Sequence, residues 1–104
     1  MNVETVLGAL ADPTRRQVLE ELAARPAATA SALARELPIS RQMVVKHLGV
    51  LHECGLVTSH RAGREVLFQV RTEPLAETAA WLSSLAARWD TRLATLKARA
   101  EQPE

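Results

Sequence analysis

Apolar positions fall into two rhythms that divide the chain at Gly55. Before it they recur every three or four residues, as on one face of a helix. Val3, Val6, Leu7 and Leu10 give a short first helix. Asp12-Pro13 then restarts the chain, because Asp caps a helix well and Pro fits its first position. The second helix turns Val18, Leu19 and Leu22 inward and ends near Arg25-Pro26. Thr29 or Ser31 caps a third, which carries Leu33, Ala34 and Leu37 and stops at Pro38. Ser40 caps a fourth, running from about Ser40 to Glu53, with Val44, Leu48 and Leu51 on its core side. Gly55 suits the left-handed conformation that ends a helix.

After Gly55 the rhythm shortens to two. Leu56–Arg61 and Glu65–Arg71 alternate as strands do, and Arg61-Ala62-Gly63-Arg64 joins them in a hairpin. Glu73-Pro74 opens a long last helix. Leu75, Leu82, Leu85, Trp89, Leu93 and Leu96 keep largely to one face of it, with Trp81 beside them. The order is helix, helix, helix, helix, hairpin, helix. That is a mainly α fold with a small β-hairpin (α+β), and 104 residues suit one domain.

The formal charge of +1 does not by itself announce a polyanionic partner. Its distribution does. Residues 35–71 hold Arg35, Arg41, Lys46, Arg61, Arg64 and Arg71 against Glu36, Glu53 and Glu65, and also all three histidines. The flanking segments are each slightly acidic. A polyanion is expected to dock on the middle of the chain.

The layout there is helix-turn-helix: a short helix, a tight connection, and a helix opening Ser40-Arg41-Gln42. In that motif the second helix enters the major groove of double-stranded DNA and its first residues reach base edges. Arg41 can contact guanine or hold a phosphate, and Gln42 can pair adenine. Ser40 can bond a phosphate, and Val45 can touch a thymine methyl. Lys46 points outward with them. His47 lies near the boundary and either faces the DNA backbone or packs beside the third helix. Arg61 and Arg64 in the hairpin are placed to grip phosphate beside the groove.

Other chemistries find little support. The sequence has no glycine-rich phosphate loop, no nucleophile motif and no placed His–carboxylate pair, so an enzyme is not expected, nor is a cofactor. Cys54 is the one cysteine and reads as a small filler; a redox switch needs a second thiol, which only a second subunit can supply. No apolar run approaches a membrane span and no signal-peptide layout opens the chain, so a cytoplasmic protein is expected. Arg15 and Arg16 can reach DNA or be simply solvated. Trp81 and Trp89 read as subunit-interface core or packing against the first helix, with an aromatic-lined pocket for a small-molecule effector as the sharper alternative. A winged helix that binds another protein and leaves DNA alone is the reading from a different class; the basic hairpin argues against it.

The segments Ala11-Asp12-Pro13-Thr14-Arg15-Arg16, Ile39-Ser40-Arg41-Gln42, Val44-Val45-Lys46-His47-Leu48-Gly49-Val50-Leu51 and Cys54-Gly55-Leu56-Val57 resemble the ArsR family of bacterial winged-helix repressors. The resemblance runs from about Val3 to Leu96. It implies a winged helix-turn-helix domain over 1–104, with the helix-turn-helix at 30–53, the wing at 56–71 and dimerisation helices at 1–11 and 73–100. It further implies a homodimer that binds operators at promoters and commonly represses its own operon. The expected interface takes in Val3, Leu7, Leu82, Leu85, Trp89 and Leu93. Many members sense metals through a Cys-x-Cys pair near the third helix, where this chain has Glu36-Leu37-Pro38-Ile39, and others through Asp and His on the last helix, which here contains no His. No metal site is expected, and the chain resembles the branch without a metal signature.

Overall fold

A computed structural model describes residues 2–102. The elements are α1 (Val3–Leu10), α2 (Pro13–Ala23), α3 (Ala30–Glu36), α4 (Arg41–Glu53), β1 (Val57–Ala62), β2 (Glu65–Val70) and α5 (Glu73–Glu101). Order and types match the sequence expectation.

Helix starts are set by local chemistry. The Asn2 carboxamide oxygen accepts from the Glu4 and Thr5 amides, and the Asp12 carboxylate accepts from Thr14 and Arg15. Thr29, rather than Ser31, caps α3 by accepting from the Ala32 amide, and Ser40 Oγ accepts from Met43. Each of these side chains satisfies donors that the first helical turn leaves unpaired. Gly55 ends α4 with φ 79°.

Arg15 and Arg16 do related work at the other end of α1. Arg15 Nη1 donates to the Ala9 carbonyl at 3.0 Å, and Arg16 Nη1 donates to that of Leu10. The Asp-Pro-Thr-Arg-Arg segment therefore starts α2 and closes α1 at once.

Val6, Val18, Leu22, Leu33, Val44, Leu48, Leu51, Leu56 and Val57 are fully buried and form one core between α1–α4 and the base of the hairpin. β1 and β2 pair antiparallel with Ala62 opposite Glu65, so Gly63-Arg64 alone makes the turn. This is shorter than the four-residue connection expected. Gly63 has φ 65°, as the first central position of a tight two-residue hairpin turn requires. Leu56 precedes the strand and is buried together with Val57, because the chain is entering the core there before alternation begins.

One pairing has no signal in the sequence. Ala28, between α2 and α3, exchanges both backbone hydrogen bonds with Phe68, at 3.0 and 2.8 Å, and so adds a one-residue third strand to the wing.

α5 has 29 residues, and only its start joins the core, through Pro74, Leu75 and Thr78. The rest projects from the body, giving a shape of 75 × 25 × 20 Å. No helix among the described residues is long and apolar enough to cross a membrane.

Candidate nucleic-acid interface

α3 and α4 pack on each other and α4 packs on β1, so the second helix of the motif and the wing flank one face. Val44, His47, Leu48 and Leu51 fix the inner side of α4. Arg41, Gln42, Val45 and Lys46 are exposed on its outer side, as expected, and Ser40 is exposed at its head. Arg61 and Arg64 are exposed on the hairpin.

The sequence left His47 either facing the DNA backbone or packing beside the third helix. Only 4% of its surface is accessible, so it packs inward and not among the exposed candidate DNA contacts. The cause is spacing: position 47 completes the 44, 47, 48, 51 stripe that faces the core. Neither ring nitrogen has a hydrogen-bond partner among the described residues. The nearby acid is Asp12, whose carboxyl is held below the ordinary aspartate range. The Arg15 amide bond contributes most to that shift, with smaller help from the Thr14 amide and the charges of His47 and Arg15.

Between α4 and the wing lies an open cleft of about 430 Å³. Ser31, Arg35, Arg41 and Arg64 line it with Val45, Val66 and Phe68. Arg35 of α3, Arg41 of α4 and Arg64 of the hairpin turn thus line one concavity. Arg41 Nε donates to Ser31 Oγ at 3.0 Å, which leaves its two terminal nitrogens available to a ligand. Arg35 and Ser31 were not foreseen as site residues. They sit on α3, and only the packing of α3 against α4 brings them beside Arg41. Arg61, by contrast, does not line the cleft, although it lies on the same hairpin as Arg64.

The cleft suits a phosphodiester backbone. Its cations can hold phosphate oxygens through paired N–H donors, and the apolar wall can lie against deoxyribose. One carboxylate, that of Glu65, also lines it.

Nothing comparable points to a metal: no group of three or more His, Cys, Asp or Glu side chains converges among the described residues. Cys54 is half-buried and its thiol donates to the Leu51 carbonyl at 3.4 Å, consistent with a filler at the helix end.

Val3 and Leu85 are half-buried, while Leu7, Leu82, Trp89 and Leu93 are exposed. Trp81 and Leu96 extend that exposed apolar surface along α5.

A family model described as a helix-turn-helix domain matches residues 10–60. The chain is 40% identical over 80 residues to an uncharacterized HTH-type transcriptional regulator, YuzN, of Bacillus subtilis, covering 71% of this chain and 87% of that protein. It is 28% identical over 91 residues to the transcriptional repressor SdpR of the same organism, covering 88% of this chain and 100% of the repressor. Among solved structures, an ArsR-like transcriptional regulator from Rhodococcus sp. RHA1 superposes with a TM-score of 0.87 at 42% identity, covering 97% of this chain and 94% of that one. These similarities are to regulators and not to enzymes. With four helices, a two-stranded wing and a fifth helix in this order, the chain belongs to the ArsR family of winged helix-turn-helix, DNA-binding transcriptional regulators.

Proposed function

We propose that the protein is a homodimeric repressor that binds an inverted-repeat operator through α4 and the wing. The observation that carries the reading is the convergence of Arg35, Arg41 and Arg64 on the cleft beside the exposed Arg41, Gln42, Val45 and Lys46. Gln42, Val45 and Lys46 meet base edges and groove walls. Arg41 stands at the junction, close enough to the groove for a guanine and to the cleft for a phosphate. Ser40 and Arg61 add backbone contacts on either side. The protein works in the cytoplasm, where its operator is.

A partner subunit follows from α5. Trp89 is 52% exposed and Leu93 56%, on a helix whose described residues beyond Leu85 are all exposed. Such a contiguous apolar surface marks an interaction site, and a two-fold dimer covers it with its own copy. Val3 and Leu7 of α1, which packs against α5, join it. Two-fold symmetry in the protein then calls for an inverted repeat in the DNA, with half-sites about one helical turn apart or a multiple of it. The similarity to SdpR, a repressor, supports repression as the output. A small-molecule inducer at the Trp81–Trp89 surface is compatible with this arrangement.

The experiment is selection of duplexes from a randomised library, followed by mapping of the recovered motif onto the protein's own genome. A palindromic motif bound by two chains, lying over promoters, is the expected result. Recovery of no enriched motif sinks the reading.

A further inference from the structure

Gly49 occupies the middle of α4, on the same outward stripe as Gln42 and Lys46. The fold does not ask for a glycine there. Its φ is not in the left-handed region, unlike those of Gly55 and Gly63. A Cβ added at Gly49 would meet nothing within 4 Å. Glycine inside a helix is nevertheless less stable than alanine, because it loses more backbone freedom on folding. An exposed mid-helix glycine with open space around it is thus a cost to the free protein with no return inside the chain.

We infer that Gly49 is where the reading helix passes the sugar–phosphate wall of the major groove, and that its missing side chain sets how deeply α4 enters. This rests on the reading that α4 lies in the groove. The dimensions support it. Arg41 to Gly49 spans about 12 Å of helix axis. A helix with its side chains is about 10–12 Å across, and the groove is about 12 Å wide and 8.5 Å deep. A helix that enters by its first turn therefore reaches the rim about two turns later, where clearance is least. The charges agree: Lys46, one turn earlier on the stripe, attracts phosphate, and Glu53, one turn later, repels it. Gly49 is the last position at which close approach is favourable. The occupant is the backbone of B-form DNA, so the constraint is steric and independent of sequence.

The test compares Gly49→Ala, Gly49→Gln and Lys46→Ala with the parent. Binding is measured on two probes: a duplex selected by the parent from a randomised library, and a random-sequence duplex at low salt. Gly49→Ala is expected to melt about 2–8 °C higher, yet to bind both duplexes about tenfold more weakly, with Gly49→Gln weaker again. Opposite signs for stability and binding are the signature. Gly49→Ala binding within twofold of the parent overturns the inference. If Lys46→Ala has lost affinity in the same assay, the groove reading stands and the Gly49 inference alone falls; if Lys46→Ala is also unchanged, both fall. A lower melting point for Gly49→Ala overturns it too, since the fold itself would then need the glycine.

Discussion

Arg41 Nε donates to Ser31 Oγ at 3.0 Å, so the residue that opens α4 is held by the first turn of the helix before it. Arginine loses much rotamer freedom when it is fixed. A tether at Nε removes part of that loss before DNA arrives and leaves the guanidinium fork aimed outward.

Ser31→Ala is therefore expected to weaken operator binding by about 0.5–1.5 kcal/mol, the worth of one such hydrogen bond. Arg41→Ala should cost about 1–3 kcal/mol if it reads a base. The double variant should be no weaker than Arg41→Ala alone, because the serine acts through the arginine. Binding titrations on the selected duplex check this; simple additivity would separate the two residues.

Arg35 and Arg64 line the cleft from α3 and from the wing. If both hold backbone phosphate, Arg35→Ala and Arg64→Ala should each weaken every duplex alike. Each should also flatten the plot of log affinity against log salt by about 0.9, one phosphate's worth of released counterions. Arg41→Ala should instead lose more on the selected duplex than on a random one. A salt slope equal to the parent's in Arg64→Ala would remove the wing from the interface.

The elements were legible because their causes are local. Caps at Asp12 and Ser40, apolar spacing in α4 and the glycines at 55 and 63 act within a few residues. The exposure of Arg41, Gln42, Val45 and Lys46 followed from the same spacing. The cleft was only half legible, since Ser31 and Arg35 join it through the packing of α3 against α4. The Ala28–Phe68 bridge was not legible at all, because a single backbone exchange between distant residues leaves no side-chain pattern. At His47 the sequence left two readings open. Its spacing puts it in the core stripe, but its polarity suggests the surface, and spacing prevails.

That burial gives a prediction. His47 brings two ring nitrogens into the core without a partner among the described residues. Replacing it with leucine keeps most of the volume and removes both polar atoms, so His47→Leu should fold with stability equal to or above the parent's. DNA affinity should be unchanged. His47→Ala leaves a cavity and should lose about 2–4 kcal/mol. Denaturant titration distinguishes the three proteins. A loss of DNA affinity in a fully folded His47→Leu would return the histidine to the interface.

Asp12 sets an acid limit. Its folded-state value lies below the ordinary 3.8, chiefly because its carboxylate accepts the Arg15 amide. A depressed folded value means the ionised form is favoured by folding. The contribution is therefore full above about the ordinary value and is lost as pH falls through the depressed one. Asp12→Asn keeps the capping geometry but not the charge. Its stability should vary less with pH below 3.8 than the parent's, while at neutral pH it should be somewhat less stable. Thermal melts across that acid range check the slope; parallel curves would show that the cap carries no pH dependence.

The apolar stripe on α5 bears on whether the protein works alone or in pairs. Leu82, Trp89 and Leu93 are each about half exposed, with Trp89 further covered by Arg92, whose guanidinium carbon lies 5.8 Å from the ring centre. Full burial of a side chain of this size stabilises by about 1.5–3 kcal/mol, and a two-fold interface repeats each contact. Trp89→Ala and Leu93→Ala should therefore raise the dimer dissociation constant at least tenfold each, leaving the core of α1–α4 folded. Neither residue is near the cleft, so a direct effect on DNA contact is not expected. Affinity for a full inverted repeat should nevertheless fall steeply with dimerisation, while affinity for an isolated half-site stays near the parent's. Sedimentation run beside binding on both duplexes tests the link. Equal loss on half-site and full site would place these residues in the fold of the monomer, and a parent that sediments as a monomer at micromolar concentration would leave the stripe without its second copy.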